Sequence, residues 1–286
     1  MADVEIRGVR LHVQRLSRPD AHASASLGAV VFVHGAMGNM SVFYYTLANQ
    51  VALAGYDVVL YDLRGHGLSQ CPPHGYLVED LVADLEALLA SVEPDRPVHL
   101  IGYSLGGAIA QRLTVERPDL VASLILVEGL IGTQSPGSRP LWERDWISGS
   151  DDGADRVADA VIAQHPGKGA RWAKTTRRLL TQTTFLADVA TVRVPESEVA
   201  RRTLRPTLVL SGDRSEFYAA ATRTAGLIAD CTIRVLTGFD HYTIVVDGAV
   251  QVRRHALAWL EAQTAQSTGQ RRWQSGWHDS FSSSPL

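Results

Sequence analysis

Apolar residues recur along the chain in two patterns. Short continuous runs rich in β-branched residues stand at Ala29–Val33, Asp57–Asp62, Val98–Gly102, Ala122–Val127, Thr207–Leu210 and Thr232–Leu236. Each is bounded by turn-forming residues, the signature of a strand buried on both faces. An earlier stretch, Val4 to Leu16, alternates apolar and polar residues about Gly8 and predicts an antiparallel hairpin. Between the runs the period changes. Ser41–Leu53, Val78–Leu89, Leu105–Val115 and Val250–Leu260 carry helical spacing, as in Val78, Leu81, Val82, Leu85, Leu88 and Leu89. Strands alternating with helices predict an α/β fold, a mostly parallel sheet with helices on both faces.

One segment breaks the rhythm. Between residues 130 and 205 no buried strand is predicted, and helical patterns stand around Gly153–Gln164, Ala170–Leu180 and Pro195–Thr203. The expected organisation is a core of residues 1–130 and 205–263, a helical cap at 131–204 over the sheet's C-terminal edge, and a flexible tail at 264–286. Arg171, Lys174 and Arg178 fall on one helical face, expected to be solvated.

Composition narrows the functional class. The 286 residues are 45% hydrophobic and 20% charged, which excludes a disordered chain. Lys+Arg 27 against Asp+Glu 30 gives a net charge of -3, without the basic stripe that nucleic acid or an anionic membrane requires. No run approaches the about 18 apolar residues of a bilayer span, and the N-terminus does not read as a secretory leader, so a cytoplasmic protein is expected. Cys71 and Cys231 are too few for a disulfide framework or a structural zinc site. No His-Glu-x-x-His occurs, and Gly65-His66-Gly67 lacks the third glycine of a nucleotide fingerprint, so neither metal nor cofactor is expected. The oligomeric state is left open.

The chemistry concentrates at Gly102-Tyr103-Ser104-Leu105-Gly106. A buried strand leads into this G-x-S-x-G and a helical pattern leaves it, the context of a nucleophile elbow presenting a serine hydroxyl. That hydroxyl needs a base. His241, in the loop after the last strand, is the candidate, because His34 and His66 sit in Gly-containing turns, His99 in a strand and His255 on a helix. Two backbone donors are expected for an oxyanion: the N–H of Leu105 after the nucleophile, and that of Ala36 after His34-Gly35.

With these residues in hand the chain resembles an α/β-hydrolase, through His34-Gly35 after a strand, Asp62-Leu63-Arg64-Gly65-His66-Gly67-Leu68-Ser69, the elbow at Ser104 and the late His241. The resemblance implies a third member, an acid, and here the chain departs from the common pattern. The usual Asp position, three residues after Gly212, is occupied by Ser215. Glu128, at the end of the strand after the nucleophile helix, matches a minority pattern of the family and is the first candidate, followed by Asp213 and Glu216. The expected activity is hydrolysis of a carboxylic ester, lactone or thioester of a small apolar substrate. Carbon–carbon bond hydrolysis and a vestigial ligand-binding site are the alternatives. Trp142, Trp146, Trp172, Phe43 and Tyr44 are candidate lining for an apolar acyl pocket.

Overall fold

The computed structural model describes residues 2–17, 25–92, 96–129, 153–163, 167, 169–189, 191 and 196–279. Among them, eight strands form one sheet in the order β1-β2-β4-β3-β5-β6-β7-β8. The strands are β1 (Ala2–Ile6), β2 (Val9–Leu16), β3 (Ala29–Val33), β4 (Asp57–Tyr61), β5 (Val98–Tyr103), β6 (Val121–Val127), β7 (Thr207–Gly212) and β8 (Cys231–Leu236). β1 and β2 are the foreseen hairpin, turning at Arg7 and Gly8 with φ of 51° and 76°. β2 joins β4 antiparallel, and every pairing from β4 to β8 is parallel.

The period of two along each strand divides the core. Val31, Val33, Val59, Leu100, Leu124 and Val209 face one layer, and Val30, Phe32, Val58, Ile101, Ile125 and Leu208 face the other. The helical stretch after β3 comprises α1 (Ser41–Phe43), a π-helical turn (Tyr44–Ala48) and α2 (Asn49–Leu53). Next come α3 (Val78–Val92) and α4 (Leu105–Glu116). Among the described residues four helices between β6 and β7 follow: α5 (Gly153–Ala163), α6 (Ala170–Thr181), α7 (Phe185–Val189) and α8 (Glu196–Arg202). α9 (Tyr218–Ala225), α10 (Thr243–Val246) and α11 (Ala249–Asp279) complete the set. The apolar stripe of α3 covers the first layer together with α4 and α9, while the 41–53 stretch and α11 cover the second.

Several elements differ from the sequence reading. The helix expected at 41–53 has a wider i→i+5 turn in its middle, which leaves Tyr45 80% exposed. Backbone helix continues from 264, where a flexible tail was expected, as far as Asp279. Phe43 packs on Phe32 in the core instead of facing a pocket. Trp142 and Trp146 lie outside the described residues. Arg171, Lys174 and Arg178 are exposed, in keeping with a solvated face. Among the described residues no helix is long and apolar enough to cross a membrane.

Candidate active site

β5 ends in Gly102 and Tyr103, the chain reverses at Ser104, and α4 starts at Leu105. Ser104 has φ 56° and ψ -125°, a conformation that non-glycine residues rarely adopt. The turn is held from both sides. The Ser104 N–H donates to the Val127 carbonyl of β6, and the Gly107 N–H closes onto the Ser104 carbonyl. The two outer glycines of the motif are steric necessities. A Cβ on Gly106 would lie 2.1 Å from the Val33 carbonyl oxygen, and one on Gly102 would lie 2.5 Å from the Gly106 oxygen. Gly106→Ala is expected to destabilise the fold at or beyond the upper end of the roughly 1–3 kcal/mol typical of overpacking. In urea denaturation Gly169→Ala is the control, expected to stay within about 0.5 kcal/mol, because nothing lies within 4 Å of a Cβ there.

The structure brings Ser104, His241 and Glu128 into line. Ser104 Oγ is 3.0 Å from His241 Nε2, and His241 Nδ1 is 3.3 Å from Glu128 Oε2. All three residues are buried. A carboxylate can only accept, so Nδ1 carries the hydrogen and Nε2 of the neutral ring is left to accept from the serine. The imidazole stacks on Tyr103 and meets the edges of Phe217 and Tyr242, while the Tyr103 hydroxyl donates to the His241 carbonyl. Both ring and loop are thereby fixed.

The other two acid candidates do not meet the ring. Asp213 Oδ1 accepts the Gly238 N–H at 2.7 Å, and among the described residues Glu216 makes no hydrogen bond to His241. Glu128 also adopts a left-handed conformation, φ 51°, at the end of β6. Its carboxylate receives the Gly212 N–H at 2.6 Å, the Ser215 hydroxyl at 2.6 Å and the Ser211 hydroxyl at 3.1 Å. Burial pushes its pKa up, but the bonds from His241, Ser215 and Gly212 prevail and hold it below the usual carboxylate value. The sequence reading did not name Ser211, and it named Ser215 without giving it a role in the site. The signal was present, since Ser215 stands where the family's usual acid would be.

The loop after β3 lies against Ser104. A Cβ on Gly35 would meet the Ser104 Cβ at 2.9 Å, so this glycine is what lets the loop approach. Among the described residues the N–H groups of Ala36 and Leu105 donate no hydrogen bond, and Leu105 stands at a helix N-terminus, where backbone donors are free. His34 stiffens the loop as a neutral ring. Its Nδ1–H donates to the Gly35 carbonyl at 2.8 Å, and its Nε2 accepts the Leu63 N–H at 3.0 Å.

The Asp62–Ser69 motif braces this loop and, among the described residues, makes no hydrogen bond to Ser104 or His241. Asp62 accepts the N–H groups of Met40 and Leu68, both at 2.8 Å, and so ties the loop after β3 to the turn. Gly67 allows this, since its Cβ would lie 2.0 Å from Asp62 Oδ2. Arg64 makes a buried two-point pair with Asp84, both contacts at 2.6 Å. Burial drives the His66 pKa down to about 3, so that ring is neutral. From above, the inserted helices press on the same loop. Leu179, Leu180 and Phe185 cluster with Tyr76 against Ala36, Met37 and Leu105, and the Trp172 indole N–H donates to the Met37 carbonyl at 2.8 Å. Beside Met37 a cleft of about 580 Å³ is lined by Tyr44, Tyr45, Leu68, Trp172 and Leu179 among others. Among the described residues no cluster of three His, Cys, Asp or Glu side chains is placed to hold a metal ion.

Comparison with known proteins agrees with this architecture. Over 241 residues the chain is 25% identical to the 2-(acetamidomethylene)succinate hydrolase of Mesorhizobium japonicum, covering 78% of this chain and 85% of that protein. It is 36% identical over 115 residues to the sn-1-specific diacylglycerol lipase ABHD11 of Mus musculus, covering 40% of this chain. The matched region spans 40% or less of the length of several such relatives. In the solved structure of the enol-lactonase from Burkholderia xenovorans LB400 the same fold recurs with a TM-score of 0.71 at 20% identity, covering 91% of this chain and 100% of that one. Residues 28–225, more than half of the chain, match the family described as alpha/beta hydrolase fold. The chain is a member of the α/β-hydrolase family.

Proposed function

We propose that the protein is a serine hydrolase that splits a carboxylic ester, lactone or thioester of a small apolar substrate through an acyl-enzyme. His241 Nε2 takes the proton of Ser104 as its Oγ attacks the carbonyl carbon. The N–H groups of Ala36 and Leu105 receive the oxyanion, worth about 3 kcal/mol of barrier for each such donor. The intermediate collapses, and the imidazolium returns its proton to the departing alcohol or thiol. A water molecule, deprotonated by the same ring, then attacks the acyl carbonyl. The acid leaves, and Ser104 recovers its proton. Throughout, Glu128 accepts the Nδ1–H, which keeps the ring oriented and stabilises its charged form.

What carries this reading is the 3.0 Å contact between Ser104 Oγ and His241 Nε2 at a strand-to-helix turn. The apolar character assigned to the substrate is supported by the surroundings of the loop, where Met37, Leu105, Trp172 and Leu179 come together. The helices of residues 153–202 serve in this reading as the cap over the acyl site. Incubation with a fluorophosphonate should label the protein at Ser104 alone, as located by peptide mass spectrometry, and p-nitrophenyl esters of short acids should turn over. A native protein that stays unlabelled at Ser104 sinks the proposal. Cleavage of a vinylogous diketone without cleavage of any ester would move the same residues to carbon–carbon chemistry.

A further inference from the structure

The turn after β7 is shaped around a carboxylate that belongs to another strand. Gly212 and Ser211 hold one oxygen of Glu128, and Ser215 donates to the other, Oε2, at 2.6 Å. That second oxygen is also the one that faces His241 Nδ1, at the longer distance of 3.3 Å. The Ser215 oxygen in turn accepts the Phe217 N–H at 3.1 Å. The hydroxyl hydrogen is therefore directed away from that N–H and onto the carboxylate, and bonds chained in this way reinforce one another. The Phe217 and His241 rings meet in a T-shaped contact, with the centroids 4.8 Å apart. One hydroxyl thus touches the acid and fixes the residue that walls the base.

We infer that Ser215 is a positioning residue of the site: its hydroxyl fixes Glu128 Oε2 for the imidazole and draws off part of that oxygen's negative charge. The inference rests on the roles proposed above for Ser104 and His241. Without the hydroxyl, Oε2 loses its shortest bond, and its charge is directed at Nδ1 alone. The imidazolium is then over-stabilised, so the ring is protonated at higher pH, and the acid is less firmly aimed.

In Ser215→Ala the expected result is a fall in kcat of about tenfold, the scale of one hydrogen bond to a charged group, with KM unchanged because Ser215 lies behind the acid. The acidic limb of kcat/KM should move up by about half a pH unit. Ser215→Thr, which keeps the hydroxyl, should restore most of both. Added to Glu128→Gln, the Ala substitution should cause no further loss, since the two act through one contact. The remaining titratable groups around the ring are the same in every variant. Burial raises the Tyr103 and Tyr242 phenols, backbone bonds from the Thr243 turn hold Asp240 low, and Glu216 acts on both phenols through space.

The His241 ring titration, followed by NMR in the resting protein, gives the same answer without turnover. It should move up in Ser215→Ala and return in Ser215→Thr. A wild-type titration and limb in Ser215→Ala overturn the inference. So does an activity loss that merely tracks the fraction of protein still labelled by fluorophosphonate. Failure of the wild type to turn over any ester would instead strike the proposed function, leaving the NMR comparison to decide the role of Ser215.

Discussion

Replacing Ser104 by Ala will abolish turnover, by roughly 10⁵-fold or more, while the protein keeps its fold. A reaction that forms an ester to Oγ has no route without that oxygen, and loss of a nucleophile in such a constellation costs about as much as loss of the whole set. Stability should hardly move. Alanine keeps the Cβ that Gly35 is shaped to meet, and it suffers the φ of 56° no more than serine does. Only the bond to His241 Nε2 is lost. Steady-state kinetics and a thermal melt check this together. A variant that retains a tenth of the activity rules out the acyl-enzyme and leaves His241 acting directly on water.

The second large effect is expected at Glu128. In Glu128→Gln kcat should fall about 10³- to 10⁴-fold, the scale of loss when the imidazole is left in the wrong tautomer. The amide cannot replace the carboxylate. Donors approach both oxygens: Gly212 and Ser211 approach Oε1, and Ser215 and His241 approach Oε2. An NH₂ on the Oε1 side faces the Gly212 N–H, which can only donate, and an NH₂ on the Oε2 side forces the Ser215 hydroxyl to turn and His241 into its other tautomer, at a stability cost of about 1–3 kcal/mol. Asp213→Asn and Glu216→Gln are the contrasts and should leave kcat within about threefold, as is usual for changes away from a network.

Acid titration of stability adds a further sign to the Glu128 variant. The Glu128 pKa is depressed in the folded protein, since bonds from His241, Ser215 and Gly212 outweigh the effect of burial. Its contribution to stability is therefore complete above the unfolded carboxylate value and is lost as pH falls through the folded one. In Glu128→Gln that part of the acid loss should disappear from a series of urea denaturations at decreasing pH.

Much of this architecture could be read from residue order. β3, β5 and β6 are covered on both faces, so their apolar runs are unbroken and their positions are evident. The exposed edge strand β8 has a weaker pattern, yet its run was also legible. The π-helical turn at Tyr44–Ala48 was not, because apolar residues at Phe43, Leu47, Ala48 and Val51 satisfy a regular helix equally well. α9 was missed for a related reason, as its buried face is largely alanine and carries little periodic signal. Beyond residue 264 the chain is too polar for periodicity to register, although the backbone stays helical.

At the site, Ser104 and His241 stood out through their local surroundings, a strand-to-helix turn for one and a post-strand loop for the other. The acid could not be singled out in that way. Glu128, Asp213 and Glu216 all follow strands that end on the same edge, and only the packing of β6 against β7 decides which carboxylate meets the ring. The roles of Arg64 and Asp84 were invisible for the same reason. Their pair joins the turn after β4 to α3, a contact between residues 20 positions apart.

The Ser104 N–H is bonded to the carbonyl of Val127, the residue directly before Glu128. Hydroxyl and carboxylate are thus riveted to a single seam of the sheet and drift together if at all. The imidazole hangs from a separate bracket beyond β8. Alignment of the three therefore rests on the 237–242 loop, which Asp213 anchors at Gly238 and the stacked Tyr103 anchors at the His241 carbonyl.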